Sequence, residues 1–278
     1  MSAEDPMTVT LLGTGAADGW PNPFCDCASC RHAVAAGELR AQTSALVDGR
    51  LLLDCGPEAP RQALRAGVDV SGLEAVLVTH AHPDHLDPAV LLYRGWVTDR
   101  RLQVLGPPPV VEACAPWLAP GQDRVELVAV GAGESHQVAG HEVRVLAANH
   151  GAPGEAVLYE VTGPAGQRLL YATDTAELPE GTVEALAGAG LDLLLLEQTF
   201  GDRVDLPGDH LTFGSFARTV DALRRVGAVT DRTDVVAVHL SHFNPPGAGL
   251  AHRLAACGAR AVPDGTRLCL PSRPGQRA

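Results

Sequence analysis

The sequence predicts an α/β fold in which the chain forms one domain. Short apolar runs typical of strands alternate with segments of helical spacing over most of the 278 residues. No internal repeat, linker or low-complexity block interrupts this alternation. Hydrophobic residues make up 46% of the chain, which is enough for a sizeable core. We therefore predict one domain over residues 1–270 and a flexible Pro-, Gly- and Arg-rich tail over 271–278.

In the first half, strands are predicted at short apolar runs and helices where apolar residues recur three or four positions apart. Asp48-Gly49-Arg50 lies between two apolar runs, which is typical of a hairpin turn. Gly67 marks a helix end, and the prolines at 107–109 mark a helix start. In order, we predict strand Met7 to Leu12, hairpin Ser44 to Leu53, helix Glu58 to Ala66, strand Ala75 to Val78, helix Asp87 to Trp96, strand Leu102 to Leu105 and helix Val110 to Leu118.

The second half opens with strands that we assign to a second sheet. These are Val125 to Val130, a strand around Val138, and Val143 to Ala147. A hairpin is predicted next, followed by alternating helices and strands, with Thr212 as a helix cap. These elements are hairpin strands Val157 to Val161 and Leu169 to Ala172, helix Pro179 to Ala187, strand Leu191 to Leu196, helix Phe213 to Val226, strand Asp234 to Val238, helix Leu250 to Cys257 and edge strand Arg267 to Leu270.

Charge and composition limit the classes of partner. The formal net charge is −12, whereas a protein that wraps nucleic acid is more often basic. No signal peptide is recognisable in the acidic stretch Met1 to Pro6, and no apolar run approaches the length of a membrane span. The seven cysteines are odd in number and unevenly spaced, unlike a secreted disulfide framework. We expect a cytoplasmic protein with no membrane partner.

A cysteine loop follows the first predicted strand. Cys25, Cys27 and Cys30 form the pattern C-x-C-x-x-C, a candidate zinc knuckle, with a redox dithiol or solvent-facing thiols as the alternative. Tetrahedral zinc requires a fourth ligand. His239 and His242 are three residues apart after a strand, a spacing that does not suit two ligands of one ion. We therefore assign His242 to the cysteines as the fourth ligand. The alternative is that His242 is an ordinary loop imidazole. We predict one structural zinc that links the N-terminal loop to a C-terminal strand end.

The densest group of metal-ligating residue types directly follows the strand Ala75 to Val78. It contains His80, His82, Asp84 and His85. Neutral imidazole and carboxylate are ligands of divalent metal ions. His80 and His82 point the same way if the backbone is extended, and the other two lie beyond a turn. The local pattern therefore predicts a site for two ions.

The motif H-x-H-x-D-H at residues 80–85 resembles the signature of the metallo-β-lactamase superfamily. The resemblance implies an αββα sandwich, in which two facing mixed β-sheets are flanked by helices and the metal site lies at one edge. It also implies this ligand set: His80, His82 and His150 for one ion, Asp84, His85 and His239 for the other, and Asp174 between them. Zinc and manganese both accept such ligands, so either fits the two catalytic positions.

A narrower resemblance comes from the cysteine loop together with the late His-x-x-His. This combination is similar to the PhnP group of phosphoribosyl cyclic phosphodiesterases, and the cysteine loop also occurs in the pyrroloquinoline quinone biosynthesis protein B group. The stretches Leu195 to Phe200 and His210 to Thr212 resemble segments of ribonuclease Z. The resemblance implies that His210 acts as general acid or stabilises the developing charge, beside the ligand Asp84 in the catalytic site, and Glu197 is expected to orient His210. An exposed loop histidine and a strand-end carboxylate are the alternatives for His210 and Glu197.

Together these patterns favour a metal-dependent hydrolase of a small phosphodiester, such as a cyclic ribosyl or nucleotide phosphate. One alternative is a ribonuclease Z-like nuclease for RNA 3′ processing. The acidic net charge makes nucleic acid an unlikely partner and therefore disfavours this alternative. The other is a cofactor-biosynthesis role like that of the quinone group. The expected partner is a small phosphorylated substrate. Since dimers are common among relatives, a homodimer is also expected.

Overall fold

The structure of the protein is a computed structural model that describes residues 5–118, 124–151, 154–206 and 208–273. Among these residues the strands form two mixed sheets. The first sheet consists, in spatial order, of β13 (Arg267–Leu270), β1 (Met7–Gly13), β2 (Ser44–Val47), β3 (Leu51–Leu53), β4 (Ala75–Leu77), β5 (Leu102–Gly106) and β6 (Val125–Ala129). Strands β3 to β6 run parallel, and the others pair antiparallel.

The second sheet, like the first, begins along the chain with antiparallel strands and continues with parallel ones. Its spatial order is β12 (Asp234–Val238), β11 (Leu193–Glu197), β10 (Arg168–Ala172), β9 (Val157–Thr162), β8 (His141–Ala147) and β7 (Ser135–Val138). Strands β12, β11 and β10 are parallel, whereas β10, β9, β8 and β7 form an antiparallel meander. The parallel strands are therefore those whose carboxyl ends carry most of the predicted site.

Helices cover the outer face of each sheet. They are α1 (Ala28–Ala36), α2 (Ala59–Arg65), α3 (Ala89–Gly95), α4 (Pro108–Cys114), α5 (Glu180–Ala185), α6 (Phe213–Arg225) and α7 (Ala248–Ala255). Helices α2, α3 and α4 pack on the first sheet, and α1, α6 and α7 pack on the second. Helix α6 begins at the predicted cap, because Thr212 and Ser215 form a reciprocal capping box.

The alternation of side chains along the strands builds three apolar layers. In β11, Leu193 and Leu195 face the core between the sheets, while Leu194 and Leu196 face the helices. Successive residues of a strand point to opposite faces, so a strand buried on both faces has an unbroken apolar sequence. The layers are helix, sheet, sheet and helix, which confirms the predicted αββα sandwich.

Two expectations about the fold were wrong. The strand predicted at Val125 to Val130 was assigned to the second sheet, but β6 pairs in parallel with β5 at the edge of the first. The helix α4 between these strands returns the chain to the same sheet, as a β-α-β crossover does. Helix α1 (Ala28–Ala36) was missed, because its first residues were assigned to the cysteine loop.

The first residues of the predicted flexible tail are anchored. The Arg273 backbone N–H donates to the Ala165 carbonyl at 3.0 Å, and its guanidinium contacts Asp192 at 2.9 Å. Residues 274–278 of that tail lie outside the described part of the chain. Within the described ranges, no helix has both the length and the apolar character needed to cross a membrane.

Candidate metal centre

The predicted ligands come together where strands end. His80 to His85 follow β4, His150 follows β8, Asp174 follows β10 and His239 follows β12. Asp174 and His239 have φ values of 47° and 53°, in the left-handed region that non-glycine residues rarely adopt. Backbone strain of this kind is tolerated where the surrounding structure imposes it, and it is concentrated at functional sites.

The first group of donor atoms comes from His80, His82, His150 and Asp174, whose donor atoms all lie within 4.8 Å of one another. The His82 Nδ1 atom is 2.8 Å from His80 Nε2 and 3.3 Å from His150 Nε2. Ligands at the corners of a tetrahedral zinc site are separated by about 3.3 Å when each bond is ~2.0 Å. The spacing of the three nitrogens is therefore compatible with one shared ion.

The second group contains Asp84, His85, His239 and again Asp174. The Asp174 Oδ1 atom lies 3.2 Å from His85 Nε2 and 3.1 Å from His239 Nε2. Its other oxygen, Oδ2, lies 3.7 Å from the Nε2 atoms of both His80 and His150. Each oxygen of Asp174 thus faces a different donor group, as a carboxylate bridging two ions would.

Hydrogen bonds donated by Nδ1–H orient two histidine rings of the second group. The Thr199 hydroxyl donates to Glu197, so it accepts from the His239 Nδ1–H at 2.9 Å. The His85 Nδ1–H donates to Asp54 Oδ2 at 2.7 Å. Fixing Nδ1–H in this way leaves the Nε2 lone pair directed at the donor group, the arrangement typical of metal-binding histidines.

Hydrogen bonds donated by Nδ1–H also orient two histidine rings of the first group. Thr79 donates its hydroxyl to Asp54 at 3.1 Å and accepts from the His80 Nδ1–H at 3.0 Å. The His150 Nδ1–H donates to the carbonyl of Asp209 at 3.1 Å. Both rings consequently direct Nε2 inwards.

The negative charge of the carboxylates in and around the second group also favours a bound cation. The Nε2 atom of His85 is buried and makes no hydrogen bond of acceptable geometry. Burial opposes charge on this ring, yet Asp174, Asp54 and Asp84 raise the pKa of His85 well above its usual range. These carboxylates therefore require a buried positive charge, which a divalent ion would supply.

The ring of His80 is in the form that binds metal. Burial and the adjacent His85 hold the pKa of His80 well below its usual range, so its imidazole is neutral at physiological pH. Burial would raise the pKa of Asp174, but His239 and His85 lower it well below the usual value, so this carboxylate is ionised. Neutral imidazole and ionised carboxylate are the protonation states that metal coordination needs.

His210 lies against both groups without belonging to either predicted ligand set. Its ring stacks on His239 with centroids 5.3 Å apart and lies 4.9 Å from the ring of His150. Its Nδ1 is 2.8 Å from Glu197 Oε1. Burial opposes protonation, but the charge and hydrogen bond of Glu197 raise the pKa of His210 to about 9. Because Nδ1 makes the contact with Glu197, Nε2 is the ring nitrogen left free of it.

The cysteine loop and His242 also come together. Donor atoms of Cys25, Cys27, Cys30 and His242 lie within 4.8 Å of one another, and His242 Nδ1 is 3.0 Å from Cys25 Sγ. Burial opposes ionisation of Cys27, but hydrogen bonds from Cys30 and its neighbours lower the pKa of this thiol to about 7. Three thiols and one imidazole in this arrangement have the composition of a structural zinc site.

The metal ligands proposed from the sequence thus fall into three groups, and His210 and Glu197 lie beside the two histidine and aspartate groups, while several orienting partners were missed. The missed partners accept hydrogen bonds from the Nδ1 atoms of ligand rings. They are Asp54, Thr199 and the Asp209 carbonyl. Asp54 directly follows strand β3, and His150 and Asp174 also lie just beyond strand ends. That position was readable from the sequence, but Asp54 was not among the predicted site residues.

The family is shown by comparison with known proteins. Residues 49–263 match the model of the beta-lactamase superfamily domain. The chain therefore belongs to the metallo-β-lactamase superfamily and is a metal-dependent hydrolase of that fold.

Two curated relatives differ in their assigned activities. A ribonuclease Z from Mycobacterium sp. (strain KMS) is 30% identical over 259 residues, which cover 86% of this chain and 84% of that protein. An octanoyltransferase from Porphyromonas gingivalis is 28% identical over 251 residues, again 86% of this chain. The match covers 47% of that second protein, so the chain spans about half of its length.

Solved structures give the same fold. A crystal structure of a new diphosphatase from the PhnP family has a TM-score of 0.74 and 25% identity, covering 95% of this chain and 99% of that one. Zn²⁺-bound PqqB from Methylobacterium extorquens has a TM-score of 0.73 and 22% identity, covering 94% of this chain and 99% of that one. The second likeness supports the fold alone.

Proposed function

We propose that the protein hydrolyses a small phosphodiester, such as a cyclic ribosyl or nucleotide phosphate. The observation that carries this proposal is the position of His210. Its imidazole is held by Glu197 at 2.8 Å, beside two donor groups that share Asp174. An acid next to a dinuclear site suits the departure of an alkoxide from phosphorus. The PhnP-family diphosphatase among the similar structures supports hydrolysis at phosphorus.

The donor groups define which residues would hold the metals. His80, His82 and His150 would hold one ion, Asp84, His85 and His239 the other, and Asp174 both. Two zinc or manganese ions in such a site activate water and neutralise charge on the attacking and leaving oxygens of a displacement. A third ion, a structural zinc, would be held by Cys25, Cys27, Cys30 and His242.

The residues around the metals have separate tasks. Glu197 orients the His210 ring through Nδ1, so Nε2 is the nitrogen that donates a proton to the leaving oxygen. Glu197 also accepts from the Leu211 backbone N–H at 3.1 Å, which fixes the segment that carries His210. Asp84 contributes negative charge to the second group, 2.9 Å from His85 Nε2.

The alternative function is a ribonuclease Z-like nuclease. The mycobacterial ribonuclease Z supports it, since that relative is similar over most of both chains. The net charge of −12 opposes it, because RNA binding depends on basic surface. A cofactor-biosynthesis role like that of PqqB is the remaining alternative. The cytoplasmic location and a homodimer stay predictions.

Turnover of bis(p-nitrophenyl) phosphate tests the proposal. We expect metal-dependent turnover by the wild-type protein and a 10²- to 10⁴-fold lower kcat, to order of magnitude, in His210→Ala. His252→Ala is the matched control, because His252 lies on the exposed face of α7. Metal-loaded protein that cleaves no diester would refute the proposal. Tight tRNA binding at low salt in a gel shift would instead favour the nuclease.

A further inference from the structure

We propose that a cavity between helices α2 and α3, on the outer face of the first sheet, binds an aliphatic carboxylate such as the anion of a straight-chain fatty acid. The cavity, which we call the α2–α3 cavity, has a volume of about 570 Å³. Small-molecule sites are mostly apolar and range from about 300 to 1,000 Å³. The cavity is separate from the metal centre and independent of the proposed phosphodiesterase activity, since none of its described lining residues is a proposed metal ligand.

The floor of the cavity is apolar and buried. Leu12 and Leu52 reach it from strands β1 and β3, and Cys55, a thiol that behaves as a small hydrophobe, follows β3. Ala59 and Ala63 lie four residues apart on α2 and therefore face the sheet together. All five side chains are at most 5% exposed. The short alanine side chains leave space over the sheet that an aliphatic chain can occupy.

The rim of the cavity consists of the exposed lining residues, which are Leu64, Asp69, Ser71, Val97 and Arg100. Two of them are large apolar side chains, since Leu64 is 65% exposed and Val97 is 83% exposed. Val68 and Val90 also line the cavity and are half-buried. Apolar surface thus continues from solvent into the concave interior, where an apolar ligand would cover it favourably.

Two arginines give the opening of the cavity a positive charge. Arg94 is half-buried and Arg100 is exposed, and both line the cavity. Their printed hydrogen bonds go to carbonyl groups: Arg94 donates to the Arg100 carbonyl at 2.8 Å, and Arg100 donates to the Ser71 carbonyl at 3.5 Å. Burial and the charge of Arg100 both lower the pKa of Arg94. An anion bound beside these guanidinium groups would relieve their mutual repulsion.

The charge balance of the lining suits a singly charged head group. Asp69 is the acid among the described lining residues, so two arginines and one aspartate leave one net positive charge. Asp69 accepts from the Ser71 backbone N–H at 2.7 Å and from its hydroxyl at 3.0 Å, which commits this carboxylate to its own turn. Guanidinium binds carboxylate in a bidentate geometry. An apolar interior with a cationic opening therefore fits a carboxylate that carries an aliphatic tail.

A chain-length series tests the apolar interior. Hexanoate and octanoate are titrated calorimetrically into the metal-loaded wild-type protein. Each buried methylene strengthens binding by about fourfold, so octanoate is expected to bind about 15-fold more tightly than hexanoate. Octanol, which has the same tail without the charge, is expected to bind about tenfold more weakly than octanoate. Absence of octanoate binding, or equal affinities for the two acids, would overturn the proposal.

Arg100→Gln tests the head-group contact. The ratio of octanoate to octanol affinity is expected to fall by about three- to fivefold, because one exposed guanidinium is lost. Arg61→Gln is the matched control, since Arg61 is an exposed arginine of α2 that does not line the cavity. This control should keep the wild-type ratio. An unchanged ratio in Arg100→Gln would overturn the proposal.

Ala63→Leu tests the floor. The larger side chain enters the space assigned to the tail, so the preference for octanoate over hexanoate should fall to near unity. Ala251→Leu, at an exposed position of α7, should keep that preference. A carboxylate bound at the catalytic metal ions instead would be insensitive to Ala63→Leu and to Arg100→Gln, and that outcome would overturn the proposal. If Ala63→Leu does not fold, the chain-length series and Arg100→Gln decide.

A second copy of the chain is the competing occupant of the apolar rim. Light scattering of the wild-type protein and Val97→Ser measures the assembly state of each. A wild-type dimer that becomes monomeric in Val97→Ser, together with no octanoate binding, would overturn the ligand site. Octanoate binding with the same assembly state in both proteins supports it.

Discussion

A buried tyrosine provides the sharpest test of how the metal centre is supported. Tyr171 lies on β10 of the second sheet and donates its hydroxyl to Asp54 Oδ2 at 3.0 Å, across the core between the sheets. The same oxygen accepts the His85 Nδ1–H at 2.7 Å. Burial, with the charge of Asp54, raises the pKa of Tyr171 well above its usual range, so the hydroxyl keeps its proton. We predict that Tyr171→Phe weakens metal binding at His85.

The size of the effect follows from the bond that is lost. Tyr171→Phe keeps the ring and removes one hydrogen bond to a charged acceptor, which costs about 1.5–3 kcal/mol of unfolding free energy. Asp54 retains its contacts with His85 and Thr79, so we expect about 2 kcal/mol. Loss of a residue that hydrogen-bonds a metal ligand lowers metal affinity by about 10- to 100-fold. Tyr171 acts on His85 only through Asp54, so we expect metal affinity to fall by about tenfold, the lower end of this range.

Tyr159→Phe is the matched control. Tyr159 is equally buried and donates to the Val78 carbonyl at 2.9 Å, a neutral acceptor with no contact to a ligand ring. We expect a cost of about 1 kcal/mol and unchanged metal affinity. Urea unfolding of the metal-free proteins measures stability, and calorimetric titration with Zn²⁺ or Mn²⁺ measures affinity. Wild-type affinity in Tyr171→Phe, or equal losses in both variants, would refute the reasoning.

Three other changes test separate parts of the structure. Cys27→Ser should lose one zinc per chain by elemental analysis, whereas Cys114→Ser, at an isolated buried thiol, should retain it. Thr212→Ala should destabilise the protein by about 1 kcal/mol in urea unfolding through loss of the α6 cap. Burial opposes ionisation of Asp48, but hydrogen bonds from His141 and Thr8 hold its pKa below the usual value. Its contribution is therefore complete above about pH 4 and lost below it, so the stability difference between wild type and Asp48→Asn should shrink between pH 7 and pH 2.

Much of the site could be predicted because metal chemistry constrains the sequence locally. The cluster at 80–85 is recognisable from residue types and spacing after a strand, whereas His150 and Asp174 were implied by the resemblance that this motif carries. Strand faces are equally local, since side-chain alternation in Leu193–Glu197 follows from backbone geometry.

Other features depend on contacts between distant parts of the chain. The placement of β6 in the first sheet and the pairing of Tyr171 with Asp54, 117 residues apart, cannot be derived from local pattern. A strand sequence shows that it pairs and which face it buries, but not which neighbour supplies its hydrogen bonds.

The sequence by itself determined the alternation of strands and helices and the cluster of metal-ligating residues at 80–85, because spacing along the chain encodes both, and the resemblance carried by that motif implied the αββα sandwich and the other ligands. Only the tertiary structure decided which nitrogen of each histidine faces the donor groups, because hydrogen-bond partners from other segments, such as Thr199 and Asp54, set that choice. It also decided that Arg94 and Arg100 line one cavity with Leu12 and Ala63, since their proximity arises from folding of separate segments rather than from a motif.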